Sequence, residues 1–107
     1  MRKLRVKLIL FTISRFYGFS IKGIKKHDRT TDKVQARRVF CYVCRELGYT
    51  FGESAKVLDM DRNNSRHSVE VIEDTLKAVY NHPDDQHIPE DVEYLINKCK
   101  RWRKIRR

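Results

Sequence analysis

The sequence predicts an all-α protein: a compact helical bundle containing a helix-turn-helix, plus a basic C-terminal helix. Three observations carry that expectation. Apolar residues recur at steps of three and four along most of the chain. Start and stop signals, such as Thr50 with Glu53 and the glycines at 18 and 48, divide it at helix-length intervals. Gly and Pro number only 4 and 2 among 107 residues, too few for the long loops or frequent turns of a β-sandwich.

A first helix is predicted over residues 8–17, where Ile9, Ile13 and Phe16/Tyr17 share a face. Before it, Leu4, Val6 and Leu8 alternate with Lys3, Arg5 and Lys7, a pattern equally suited to a strand. Gly18 stops the helix, and Ile21 and Ile24 suggest a short helical turn after Ser20, followed by a basic loop from Lys25 to Arg29. Asp32 with Gln35 reads as a capping box for a long helix whose buried stripe is Ala36, Val39/Phe40, Val43 and Leu47, ended by Gly48. Thr50-x-x-Glu53 is a second capping box, opening a short helix that turns Phe51, Ala55 and Leu58 inward. A polar turn is predicted from Asp59 to Asn64, then a helix from Ser65 with Val69, Ile72, Leu76 and Val79 on one face. Asn81 to Asp85 breaks the chain. Pro89 then suits the first position of a last helix, whose stripe is Val92, Leu95, Cys99 and Trp102. These elements divide into a helix-turn-helix domain over residues 1–80 and a linker with a basic helix over 81–107.

Charge narrows the partner. Lys and Arg total 24 against 14 acids, a net charge of +10, and the sequence pI is near 9.8. So large a surplus on a small body attracts polyanions, nucleic acid or anionic membrane. The N-terminal MRKLRVKLILFTIS has too short an apolar run and no cleavage site for a signal peptide, and no stretch is long enough to span a bilayer. Three cysteines, an odd number, suit reduced thiols. The expectation is a soluble, cytoplasmic, nucleoid-associated protein.

In a helix-turn-helix the first turn of the second helix meets base edges in the major groove. Here that turn offers Asn64, Ser65, Arg66, His67 and Ser68, and an arginine can hold a guanine edge through two parallel hydrogen bonds. Glu70, Glu73 and Asp74 further along would repel phosphates, which favours insertion of the helix tip alone.

At these residues the chain resembles a known family. Residues 9–76 look like the C-terminal DNA-binding domain of the bacterial replication initiator DnaA. The register from Ile9 to Leu47 aligns without gaps through ISRFYGFSIKGI and ARRVFCYVCREL, and TFGESAKVL fits after a one-residue deletion. The family's Asp-His-Thr-Thr-Val signature has as its counterpart Ser65-Arg66-His67-Ser68-Val69. The resemblance implies minor-groove insertion for Arg29, and positions on the long helix for Arg37, Arg38 and Arg45, with Arg37 and Arg45 approaching phosphates. It implies backbone gripping by Thr50, Phe51 and Gly52, and base reading by Arg66, His67 and Ser68. Because the Asp-His pair is replaced, the target differs from the family's own origin box. No Gly-rich Lys-Ser/Thr loop is present, so the resemblance covers a DNA-reading part without an ATPase module.

Other motifs read as structure. Cys41-x-x-Cys44 lies mid-helix, where a thiol packs as a small hydrophobe and lacks the helix N-terminus that activates redox pairs. His82 to His87 collects metal-capable side chains in a breaker-rich turn, with no second segment to complete a site. No catalytic constellation, cofactor, metal or small-molecule substrate is expected. The tail cations, Lys100 and Arg101 foremost, admit three readings: a solvated face, a DNA-phosphate clamp or an anionic-membrane contact. Charge around the whole end of the helix favours the clamp. The leading expectation is a binder of double-stranded DNA. The rivals are an RNA binder, disfavoured because Phe16, Phe40, Phe51 and Trp102 fall on core stripes, and a helical adaptor docking on an acidic protein.

Overall fold

A computed structural model of the chain describes residues 2–26, 30–78 and 87–104. Its elements are α1 (Arg2–Phe16), α2 (Ile21–Lys25), α3 (Thr31–Glu46), α4 (Phe51–Val57), α5 (Arg62–Ala78) and α6 (His87–Cys99), with a 3₁₀ turn at Lys100–Trp102. Among the described residues there is no strand, so the all-α expectation holds. None of these helices is long and apolar enough to cross a membrane.

α3 lies at the centre, with α1, α2, α4, α5 and α6 all packed on it. Its predicted stripe is the heart of the core: Ala36, Val39, Phe40 and Val43 are fully buried, joined by Cys44, and Leu47 is nearly so. Burying a side chain the size of Phe40 stabilises by about 1.5–3 kcal/mol. α1 runs continuously from residue 2, which resolves the ambiguous N-terminus. Val6, Ile9, Leu10 and Ile13 follow helical spacing and are buried, while Leu4 and Phe11 face outward. The alternation of Leu4, Val6 and Leu8 mimicked a strand only because Leu4 belongs to the outer face. Phe16, expected in the core, is 41% exposed, and Tyr17 takes the inward place.

Three helices end in the same hydrogen-bonding pattern, with a left-handed residue just past the end. Gly18 closes α1 (φ +81) and Gly48 closes α3 (φ +94), a conformation that costs glycine nothing. At the end of α4 the role falls to Asp59, at φ 54, where Met60 N donates to Ala55 O and Asp59 N to Lys56 O. Asp tolerates this region better than most residues, so the turn needs no glycine. A Cβ at Gly48 would come to van der Waals contact with Lys104 Cβ, at 3.4 Å, so the φ is what calls for glycine there.

Four sequence expectations are corrected. α3 begins at Thr31 behind Thr30, so Asp32 and Gln35 do not form its cap box; Asp32 lies in the first turn and complements the helix dipole. α5 begins at Arg62, three residues before the expected Ser65. Asp61 sits before it and its carboxylate accepts from Asn64 N at 3.1 Å, as an N-cap does. α6 begins at His87, so Pro89 lies within its first turn. Arg37, expected at phosphate, is buried at 8% exposure, and its Nη1 donates to the carbonyls of Ile24 (3.1 Å) and Lys26 (2.9 Å). It ties the exit of α2 to α3. Val79 and the break at 81–85 fall outside the described residues.

Because Arg37 satisfies two carbonyls with a buried charge, Arg37→Ala is expected to destabilise the fold by about 1.5–3 kcal/mol. Arg38→Ala, on a half-exposed neighbour, is expected to cost far less. Thermal or urea denaturation of the two variants checks the contrast.

Candidate nucleic-acid interface

The site begins with how α4 is set on α5. Ser54 of α4 and Ser65 of α5 share a buried hydrogen bond of 2.6 Å, and Ser54 Oγ also reaches Phe51 O at 3.1 Å. Ser65 is fully buried and Ser68 nearly so. The Cys41 thiol of α3 lies among the hydroxyls of Ser65, Ser54 and Ser68, and burial pushes its pKa up. These small side chains let three helices approach closely, and the hydroxyls satisfy one another inside. Ser65 and Ser68 therefore cannot read bases, which corrects the sequence expectation: they face α4 and α3, not solvent.

What α5 exposes instead is Arg62, Asn63, Asn64, Arg66 and His67 over its first two turns, followed by Glu70. Arg66 Nε lies 3.3 Å from Glu70 Oε1. Both groups are more than half exposed, so this is a weak surface pair that steadies the guanidinium and yields readily to a better acceptor. Arg62 and Asn63 were missed in the sequence because residues 59–64 read as one turn. The available signal was Asp61, an N-capping type placed directly before Arg62.

At the other end of α4 the predicted capping box is formed. Glu53 N donates to Thr50 Oγ1 at 3.1 Å, and Thr50 N donates to Glu53 Oε1 at 3.0 Å. Thr50 is exposed, with Phe51 and Gly52 partly so. Arg45, exposed on the last turn of α3, sets its guanidinium 4.8 Å from the Phe51 ring centroid. The structure thus places Arg45 beside Phe51, next in the chain to Thr50 and Gly52.

The basic tail folds back onto this corner. Lys104 N donates to Leu47 O at 2.9 Å, Lys104 Nζ pairs with Glu53 Oε1 at 2.9 Å, and the Tyr49 hydroxyl bonds Trp102 O. Arg101 stacks 4.4 Å from the Trp102 ring centroid. Lys100, Arg101 and Arg103 stay exposed, and a groove beside Glu46 to Gly48 is lined by Lys100, Arg103 and Lys104. Burial pushes the Glu53 carboxyl up, but hydrogen bonds from Lys104 and Thr50 outweigh it and hold its pKa below the ordinary 4.5. The acid at the start of α4 is therefore an ion pair. Sequence reasoning missed Lys104 because its partner is 51 residues away.

Arg29 lies outside the described residues, as does the His82 to Gln86 stretch; Arg37 is in the core, and Arg38 is half-exposed. Among the described residues no three His, Cys, Asp or Glu side chains come together as a metal site. Cys41, Cys44 and Cys99 are buried free thiols. Burial lifts the Cys44 pKa well above and that of Cys99 to about 11, so these thiols are poorly nucleophilic. Comparison with family models, curated proteins and solved structures finds no match to this chain.

Glu53 has a depressed folded pKa, so its stabilisation is present above the unfolded value near 4.5 and is lost as pH falls through the folded value. Glu53→Ala is expected to cost about 1 kcal/mol at neutral pH, with the gap to wild type closing as pH falls below the ordinary carboxylate range. Glu53→Gln keeps the cap and is expected to lose less. Denaturant midpoints across pH read both.

Proposed function

We propose that the chain binds double-stranded DNA with a sequence preference, by seating the N-terminal turns of α5 in the major groove. The observation that carries this reading is the row Arg62, Asn63, Asn64, Arg66 and His67, exposed at a helix tip that a buried serine pair fixes against α4. Arginine suits a guanine edge and asparagine an adenine edge, each through two hydrogen bonds. Glu70, Glu73 and Asp74 are exposed beyond that tip and would repel phosphates, so the helix enters end-on. Arg45 and Thr50, with the tail cations Lys100, Arg101 and Arg103, supply sequence-independent attraction to the backbone.

The resemblance to the DnaA DNA-binding domain supports the same docking. It extends the proposal to a role in replication initiation or transcription control of a bacterial, phage or mobile-element system, near the nucleoid. Arg29 then enters the minor groove. In the row that replaces the family's Asp-His signature, Arg66 and His67 read bases, while Ser65 and Ser68 hold the helices.

Selection of bound sequences from a random duplex pool is expected to return a defined site. Against that site Arg66→Ala is expected to lose roughly 5- to 150-fold while leaving non-specific duplex affinity nearly intact. Arg45→Ala is expected to weaken all sequences alike and to flatten the dependence of affinity on salt by about one phosphate. A pool that returns no enrichment contradicts sequence preference.

A further inference from the structure

Away from α4 and α5, four of the five exposed large hydrophobics among the described residues lie on α1 and α6: Leu4, Phe11, Phe16 and Tyr94, each 41–56% exposed. Three are aromatic, and they border one cleft of about 530 Å³ lined by Phe11, Thr12, Arg15, Phe16, Tyr94, Leu95 and Lys98. The Phe16 and Tyr94 rings lie 5.5 Å apart and tilted by 31°, closer to parallel than to edge-on. Phe16 is braced from behind by Tyr17, edge-on at 5.0 Å. Arg15 sits 5.7 Å from the Phe11 ring centroid, and Lys98 Nζ reaches the Tyr94 hydroxyl at 3.2 Å. Two cations and no acid line the cleft; on α6 the exposed Glu93 precedes Tyr94 without lining it, Glu90 and Asp91 lie a turn away, and Asp91 acts on Tyr17.

We propose that this cleft binds single-stranded DNA, with bases stacked on Phe11, Phe16 and Tyr94 and phosphates held by Arg15 and Lys98. Exposed rings interleaved with cations are what an unpaired strand needs, since every base has a π-face and every nucleotide a charge. A duplex hides its base faces, so this surface offers it only the cations. A second copy of this chain would set Arg15 and Lys98 against like charges, on a body that already carries +10. A bilayer surface fits poorly, because the rings line a concavity with cations among them and form no uncharged ridge. A ribose has little extra to gain over deoxyribose, because the hydroxyls at the cleft are partly used within the protein. Thr12 Oγ1 donates to Leu8 O at 2.9 Å, and the Tyr94 hydroxyl accepts from Lys98. The Tyr94 O–H can still donate, but on a residue 49% exposed that bond replaces one to water, so a 2′-hydroxyl gains little.

This proposal goes beyond the duplex reading and stands on a different face. It is tested by fluorescence anisotropy at physiological salt on the whole chain, with labelled oligothymidylate of about 15 nucleotides, oligouridylate of that length, and a duplex. Phe11→Ala and Tyr94→Ala, at exposed positions that leave the helical circular dichroism intact, are each expected to weaken oligothymidylate roughly 5- to 150-fold. Duplex affinity should stay unchanged, and Tyr94→Phe should keep most of the single-strand binding. The proposal is overturned if the alanine variants hold oligothymidylate as well as wild type does, if they weaken duplex equally, or if oligouridylate binds more tightly. Sedimentation showing a wild-type dimer that Tyr94→Ala dissociates would also overturn it, assigning the face to self-association.

Discussion

The hydrogen bond between Ser54 and Ser65, with Cys41 beside it, sets the angle at which α5 leaves the bundle, and the proposed interface depends on that angle. Ser54 and Ser65 are small enough for α4 and α5 to pack closely against each other and against α3. The two hydroxyls bond each other in a place water does not reach, and Ser54 Oγ keeps a second partner in Phe51 O, so loss of Ser54 is the costlier change, at about 1–3 kcal/mol. A larger side chain would instead force the helices apart. With its inner face occupied by Ser65, Ser68, Val69 and Ile72, α5 has one outer face left, and Arg62, Asn63, Arg66 and His67 stand on it.

A second constraint comes from the far end of the chain. Lys104, through its backbone N–H and its ammonium, and the Trp102 carbonyl fasten the tail to Leu47, Glu53 and Tyr49. Gly48 serves the turn beneath that approach by taking a φ of +94 without strain. The tail is therefore fixed from Lys100 to Lys104, with Lys100, Arg101 and Arg103 outward beside the exposed Thr50 end of α4. Neutralising Glu53 through Lys104 removes a negative charge from that corner. The electrostatic character of the corner thus arises from a contact between residues half the chain apart.

Helix existence was legible because burial imposes period on sequence, and the stripes of α3 and α6 read directly as the core they form. The capping box at Thr50 and Glu53 and the stops at Gly18 and Gly48 were legible because their chemistry is local. Arg37 was not: a basic residue beside a basic loop reads as a phosphate contact, and only the fold shows its guanidinium turned onto two carbonyls. The start of α5 was misplaced because Asp59 ends one helix in a left-handed conformation and Asp61 caps the next. Two short-range roles were packed into what looked like one turn. The serines at 65 and 68 were assigned outward for their polarity, yet inside a close three-helix contact a hydroxyl of that size is the better fit. Phe16 was placed inside because Tyr17 shares its stripe, and sequence spacing does not say which of two adjacent rings turns in.

The central claim concerns where a duplex lands. Amide chemical-shift mapping of the isotopically labelled protein, titrated with its selected duplex, tests it most directly. The account predicts the largest changes from Arg62 to His67, with a second group around Thr50 and Phe51 and little at the α1–α6 cleft. Changes confined to α1 and α6, with α5 silent from Arg62 to His67, would contradict it.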